Sequence, residues 1–462
     1  MAKPNIVFLF SDQQRWDTLG CYGQKLPITP NLDTMAKEGV RFEYAFTPQP
    51  VCGPVRAVLQ SGRYASQVGV FTNGIALPPG RRFLADWMHE AGYETAYIGK
   101  WHLASNGSEA SIRAWPNGEK FNNRTSPIPR HLRGGYRDFW LAADALEYTS
   151  RSYNGHMFDS GGNKREFPPG RFRADAQTDW ALEYLRGRKK DRPLFLFVSW
   201  LEPHHQNDRN RYEGPHGSKE RFKDFVVPGD LEGAEGDWKE NYADYLGCCH
   251  NLDANVGRIR KELERLGMAE NTVVIYTSDH GSHFRTRNHE YKRSCHEGSI
   301  RVPLVMCGPG FKGGGVMTEF ASLVDLPRTI ADIAGAKASE DIEGRSLREL
   351  VDGEAKDWPQ DVFVQISEDS CSRAIRTKKW KYSVRAPEGR ARDGTADSDV
   401  YVEEYLYDLE NDYHERENLV GRPEYADLRK ELEKLLKKRM VEVGEAEPTI
   451  EPAGSDSEDR GF

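Results

Sequence analysis

From the N-terminus to the region of Gly335, short unbroken apolar runs alternate with stretches of helical period. Asn5–Phe10, Thr95–Ile98, Leu194–Trp200, Thr272–Thr277 and Val302–Cys307 read as strands. They lack the in-out alternation of a half-exposed strand, so each is expected to be buried on both faces. Thr29-Pro30 reads as an N-cap followed by Pro at the first helical position, with Leu32, Met35 and Ala36 on one face and Gly39 as the stop. Phe83–Ala91, Asp179–Leu185, Tyr242–Leu266 and Leu323–Ala334 carry the same period. Alternating strands and helices predict an α/β fold built on a large mixed, mostly parallel sheet with helices on both faces.

Between Gly335 and Trp358 the chain turns polar and acidic. Beyond it Val362–Ile366, Cys371–Arg376, Trp380–Val384 and Tyr401–Leu409 read as short strands, followed by a Leu-spaced helix from Tyr425 to the region of Val441. The expected organisation is a large α/β domain over 1–345, a smaller C-terminal α+β domain of antiparallel sheet plus helix over 346–446, and a flexible tail over 447–462.

Composition narrows the class. With 462 residues, 38% hydrophobic and 29% charged, the chain is neither disordered nor collagenous. Lys+Arg 64 against Asp+Glu 72 leaves −8, which gives no basis for general nucleic-acid binding. Apolar runs such as Leu194 to Val198 fall far short of the roughly 20 residues of a membrane span, so no membrane partner is expected. Met1-Ala2-Lys3-Pro4 leads into a run too short for a secretory signal, so cytoplasmic residence is expected, or periplasmic or secreted if a leader precedes this sequence. Seven cysteines without a C-x-x-C pair suggest neither a disulfide framework nor a zinc site.

The chemistry collects where the strands end. Asp12 follows the first, Lys100 and His102 the second, His204 the third, and Asp279 with His280 the fourth. Ligands in open α/β sheets bind beyond the carboxyl ends of the strands, so these distant segments should converge. Asp12, Asp279 and His280, with Gln13 and Ser11 as neutral oxygens, form a divalent-cation set. Oxygen-rich ligation favours Ca²⁺, with Mg²⁺ or Mn²⁺ compatible, and the imidazole keeps Mn²⁺ or Zn²⁺ open. In Cys52-Gly53-Pro54-Val55-Arg56, Pro54 suits the first turn of a helix that stops at Gly62. Cys52 then sits at a helix N-terminus with Arg56 one turn on.

Cys52-x-Pro54-x-Arg56 resembles the modification signature of the type I sulfatases, members of the alkaline-phosphatase superfamily, in which that cysteine becomes formylglycine. Gly92-Tyr93-Glu94-Thr95-Ala96-Tyr97-Ile98-Gly99-Lys100-Trp101-His102-Leu103 resembles a second signature of that family in full. Pro4-Asn5-Ile6-Val7, Thr29-Pro30-Asn31-Leu32-Asp33, Ser278-Asp279-His280-Gly281, Lys292 ahead of Glu297-Gly298, Leu406-Tyr407-Asp408-Leu409 and Glu417-Asn418-Leu419 extend the likeness over nearly the whole chain. Two positions depart from it. Asp12-Gln13 stands where Asp-Asp is frequent, resembling the choline-sulfatase and phosphonate-monoester-hydrolase branches, and Val55 replaces the usual Ser, Thr or Ala.

The resemblance implies hydrolysis of sulfate esters, expected here on a sulfated carbohydrate; the alternative is a phosphonate or phosphate monoester or diester hydrolase using the same site. It implies formylglycine at Cys52, a residue that also joins the metal ligands, made by a formylglycine-generating or anaerobic sulfatase-maturating enzyme. In the implied mechanism a hydroxyl of the hydrated aldehyde attacks sulfur and Asp279 accepts its proton. Lys100, Lys292 and Arg56 hold the developing charge, and His204 or Lys292 protonates the leaving alkoxide. His102 deprotonates the second hydroxyl. Asn73 matches a position that contacts the sulfate or the formylglycine neighbourhood. Arg285 and Arg287, in the loop before Lys292, are expected to meet the sugar. A broader substrate signal is expected from Arg113, Arg124, Arg130, Arg133, Arg137, Arg151, Arg165, Arg171 and Arg173 interleaved with aromatics such as Trp115 and Trp140.

Overall fold

Strand β1 (Asn5–Asp12) sends Ile6, Phe8 and Phe10 into one hydrophobic core and Val7 and Leu9 into another. Successive side chains of a strand point to opposite faces, so an unbroken apolar run serves two cores at once. The computed structural model describes residues 3–104, 125–387 and 395–453. Among them, β1 joins β2 (Val40–Phe46), β3 (Glu94–Lys100), β4 (Phe139–Ala143), β5 (Ser150–Arg151), β6 (Asn154–Asp159), β7 (Lys164–Glu166), β8 (Leu194–Pro203), β9 (Thr272–Ser278), β10 (Leu304–Cys307) and β11 (Gly315–Ser322) in one eleven-stranded sheet. The order is β11-β2-β10-β9-β1-β8-β3-β4-β6-β5, with β7 beside β6.

The centre of this sheet, β9-β1-β8-β3-β4, is parallel throughout. Toward one edge β10 runs antiparallel to both β9 and β2, and toward the other β6 runs antiparallel to β4. The mixed sheet is therefore parallel where the site is built. Helices Cys52–Ser61, Leu84–Glu90 and Asp325–Ala334 pack on the face of Phe8, while Pro30–Glu38, Arg173–Gly187 and Trp238–Arg265 pack on the face of Val7. Each fully buried Leu, Val or Phe in these layers contributes about 1.5–3 kcal/mol.

One expected cap differs. Thr29 is the N-cap residue and Pro30 follows it, but the Thr29 hydroxyl accepts Gly20 N–H at 2.8 Å. The free N–H groups of the first turn are met by Asp253, which accepts Asn31 N–H at 3.2 Å and Leu32 N–H at 2.8 Å. A buried carboxylate from a neighbouring helix has replaced the local cap.

A second sheet follows, β12 (Asp361–Ile366), β13 (Ser372–Thr377), β14 (Trp380–Arg385) and β15 (Val400–Asp408), antiparallel in chain order. Helix Ala426–Glu442 buries Leu432, Leu436 and Met440 against Ile375, Tyr382 and Leu406. The tail expected to fray from 447 is instead pinned at its start: β16 (Thr449–Glu451) pairs in parallel with Val400–Val402. Pairing with an otherwise open strand edge outweighs the polar composition there. Residues 454–462 lie outside the described residues. The two sheets are joined by buried charge. Glu297 accepts Arg376 Nε at 3.2 Å and Lys381 Nζ at 3.0 Å, and Lys381 also pairs with Glu415.

Candidate active site

Because β9, β1, β8 and β3 are consecutive and parallel, their carboxyl ends lie side by side. Asp12 closes β1, Lys100 closes β3, His204 follows β8 and Asp279 follows β9. Register completes the convergence, with Ser11 opposite Ser278 and Asp12 opposite Pro203.

Cys52 is the first residue of helix Cys52–Ser61, a helix whose ten residues are all buried and which ends at Gly62 with φ 71°. Pro54 needs no N–H partner in the first turn, Gly53 N–H is taken by Asn73 Oδ1, and the helix dipole gives that end a positive field. Cys52 Sγ meets Lys292 Nζ at 2.8 Å, His280 Nε2 at 3.3 Å and Asp12 Oδ1 at 3.4 Å. Burial, with Asp12 as the next cause, pushes the thiol up to about 12 despite Lys100 and Lys292. As a thiol it is therefore protonated and a poor nucleophile at neutral pH.

Asp12 receives Lys100 Nζ at 2.9 Å and Arg56 Nη2 at 3.0 Å on Oδ2. Burial alone would raise its pKa, but Lys100, His204, Arg56 and Lys292 outweigh it and hold the carboxyl well below its usual range. Asp279 goes the other way, raised to about 7 by burial and by Asp12. Its Oδ1 accepts the N–H groups of Gln13 and His280, each at 2.8 Å, while buried Oδ2 has no hydrogen-bond partner. His280 Nδ1 lies 2.9 Å from Gly281 O, which makes Nδ1 the donor and Nε2 the acceptor, 3.0 Å from Lys292 Nζ. Burial and Lys292 keep that ring neutral. Among the described residues, Asp12, Cys52, Asp279 and His280 offer ligand atoms that all lie within 4.8 Å of one another.

Two expected members are turned elsewhere. Gln13, with φ 72°, donates its side-chain amide to Tyr212 OH at 2.7 Å, and its oxygen accepts His205 N–H at 3.4 Å. What Gln13 brings to the cluster is its backbone N–H on Asp279. Arg56 gives Nη1 to Lys100 O at 2.9 Å and to Ser199 Oγ at 2.7 Å, and Nη2 to Asp12, so both terminal nitrogens are engaged behind the carboxylates.

His204 and Lys292 stand together, Nε2 to Nζ 3.5 Å, with His204 Nδ1 held by His205 O at 2.6 Å. Its neighbour His205 is buried against Tyr291 and Tyr212. His102 adopts φ 57°, and its Nδ1 is buried without a partner. Burial, Lys100 and Arg56 lower its pKa, so it is a neutral base.

Asn73 reaches residue 53 rather than open space: its Oδ1 accepts Gly53 N–H at 2.8 Å. Arg285 donates to Asn210 Oδ1 at 2.7 Å and stacks on Tyr291, and Arg287 donates to His414 O at 2.9 Å. Of the arginines between 113 and 173, Arg113 and Arg124 lie outside the described residues, as does Trp115. Arg137, Arg151, Arg165, Arg171 and Arg173 form ion pairs with carboxylates of their own domain, Arg133 lies over Trp140, and Trp140 is core. Within that stretch Arg133 and Arg173 are buried, while Arg130, Arg137 and Arg151 are exposed.

Glu147, absent from the expected set, pairs with Lys100 Nζ at 3.3 Å and is buried. It follows β4 by four residues, so recognising that strand beside β3 would have placed it.

Residues 4–336 match the family model described as Sulfatase, and residues 288–442 match N-sulphoglucosamine sulphohydrolase, C-terminal. The chain is 29% identical to an ulvan-active sulfatase of Formosa agariphila, across 96% of this chain and 82% of that protein. It is 26% identical to an N-acetylglucosamine-6-O-sulfatase of Bacteroides thetaiotaomicron, across 96% and 88%. A solved complex of a protein with its substrate D-glucosamine-2-N,6-O-disulfate superposes with TM-score 0.77 at 24% identity, across 96% and 98%.

Proposed function

The chain belongs to the sulfatase family, the hydrolases of sulfate esters, and we propose that it removes O-sulfate groups from a sulfated carbohydrate, with formylglycine at position 52 and a divalent cation beside it. The observation that carries this reading is the setting of Cys52 Sγ, which meets Lys292, His280 and Asp12 within 3.4 Å at the start of a buried helix. Sulfated-carbohydrate activity in the names of the relatives supports the substrate class.

The residues fit a cation. Asp12 and Asp279 are both buried, and Asp279 Oδ2 has no hydrogen-bond partner and meets Arg56 Nη2 only at 3.7 Å, which leaves one carboxylate oxygen open to a ligand. Asp12, Asp279 and His280 Nε2 would hold it together with residue 52. Oxygen-rich ligands favour Ca²⁺, and Mg²⁺ or Mn²⁺ are compatible. Such an ion neutralises charge on the sulfuryl oxygens and lowers the pKa of a nearby hydroxyl. Formylglycine, as its hydrate, supplies two hydroxyls on one carbon where the thiol now stands.

Around that position Asp279 Oδ2 takes the proton of the attacking hydroxyl. Lys292 and Lys100 hold negative charge, and Arg56 keeps Asp12 ionised and oriented. The departing alkoxide takes its proton from Lys292 Nζ, directly or relayed through His204 Nε2, since burial keeps the His204 ring neutral and His205 O holds its one proton on Nδ1. His102 accepts the proton of the second hydroxyl. Cys52 is 1% exposed, so its maturation enzyme must act before this helix is enclosed.

Mass spectrometry of the residue-52 peptide, paired with steady-state rates on aryl sulfate, aryl phosphonate and sulfated oligosaccharides, tests the reading. A loss of sulfur and two hydrogens replaced by oxygen, with sulfate preferred, is expected. Phosphonate preference by orders of magnitude would replace it with the phosphonate-hydrolase alternative, which Asp12-Gln13 and His280 favour.

A further inference from the structure

Glu368 comes from the second sheet, in the loop between β12 and β13, yet it reaches both chain segments that present the reacting groups. Its Oε1 accepts Asn73 N–H at 2.5 Å, and its Oε2 accepts Asn73 Nδ2 at 3.1 Å and pairs with Arg293. Asn73 Oδ1 in turn accepts Gly53 N–H at 2.8 Å. Gly53 adjoins Cys52 and Arg293 adjoins Lys292. One carboxylate therefore spans the two neighbours of the Cys52–Lys292 pair.

The fit is close. A Cβ added to Gly53 would lie 2.9 Å from Asn73 Oδ1. Glu368 and Arg293 both adopt the left-handed backbone region, φ 72° and 67°, which non-glycine residues occupy at a cost that surrounding contacts must offset. The side chains are partly accessible, 16% and 18%, and the two sheets are already joined by the buried Glu297, Arg376 and Lys381 cluster. Holding the sheets together does not require Glu368.

We propose that Glu368 is a positioning residue that sets the separation of residue 52 and Lys292, and that the second sheet thereby acts on the reaction. The inference rests on residue 52 being the nucleophile. Without the carboxylate, Arg293 retains Glu290, 3.1 Å away, and Asn73 loses the partner that orients its amide toward Gly53. Both reacting groups then drift by fractions of an ångström, which efficient chemistry does not tolerate.

Glu368→Ala and Glu368→Gln are compared with wild type, with rates expressed per formylglycine and melting followed in parallel. Gln keeps the length but sets an amide N–H₂ against Arg293. We expect kcat to fall about 10- to 100-fold with KM changed less than about threefold. Asn73→Ala combined with Glu368→Ala should be little slower than the slower single variant. Wild-type kcat in folded, converted Glu368→Gln overturns the inference, as does a loss confined to KM. If Glu368→Ala does not fold, the Gln variant decides. Rates are taken on whichever ester, sulfate or phosphonate, the wild type prefers, so a change of substrate class revises the function and leaves this comparison intact.

Discussion

Lys292 Nζ stands 2.8 Å from Cys52 Sγ although 240 residues of chain separate them. The ammonium also lies 3.0 Å from His280 Nε2 and 3.5 Å from His204 Nε2, so one compact charge links residue 52, a metal-ligand candidate and the imidazole proposed to relay its proton.

Lys292→Ala should therefore lower kcat/KM by about 10²- to 10³-fold, the scale of losing one preorganised donor to a developing anion. Lys292→Arg should recover little, because a planar fork does not fit a point charge set among three partners. Steady-state kinetics on an aryl sulfate reads both, and wild-type-like rates in the Arg variant would show that only net charge matters.

Cys52→Ala and His102→Ala should fail differently. The first leaves no nucleophile and no release of alcohol. The second should release about one equivalent of alcohol per formylglycine and then slow, since only the proton from the second hydroxyl lacks an acceptor. Rapid-quench measurement separates them, and absence of the burst in both would take His102 out of this role.

Chelation should lower the melting temperature together with activity. A bound ion at about 100 times its Kd adds about 2.7 kcal/mol, and its removal leaves Asp12 and Asp279 facing each other. Asp279→Asn should weaken Ca²⁺ binding at least about tenfold in equilibrium dialysis. Identical melting of chelated and Ca²⁺-loaded protein would argue against this ligand set.

Asp325 gives a pH signature away from the site. It is buried at the start of helix Asp325–Ala334, accepting Ser322 N–H at 2.8 Å and Arg345 N–H at 3.0 Å, and burial pushes its carboxyl up to about 6. The folded pKa exceeds the unfolded value near 3.8, so the folded chain holds a proton that the unfolded chain releases. The resulting stability is complete below about pH 4 and lost as pH rises through about 6, in total about 3 kcal/mol. Asp325→Asn does not titrate, so its stability relative to wild type should rise by that order between pH 4 and 7. Parallel melting curves across this range would remove Asp325 as the cause.

Asp12, Lys100, His204 and Asp279 were legible because each follows an apolar run that could only be a buried strand, and parallel neighbours align such ends. Nothing local marks Glu147 or Glu368. Glu147 depends on β4, hidden in an arginine-rich stretch whose charges find partners only through tertiary contacts. Glu368 arrives from the other sheet. The antiparallel course of β10 was likewise illegible, since a run such as Leu304–Cys307 carries burial but no direction. Arg56 was legible as a charge near residue 52, and only the folded chain turns it to Asp12 and Ser199.

The pairing of β16 with β15 bears on how this protein can be handled. Trimming the polar segment after Gly444 would remove a three-residue strand and lay bare the backbone donors and acceptors of Val400–Val402. An unpaired edge of that kind recruits other chains. Shortened versions ending before Thr449 should aggregate faster on storage, whereas tags placed beyond Ala453 leave that edge sealed.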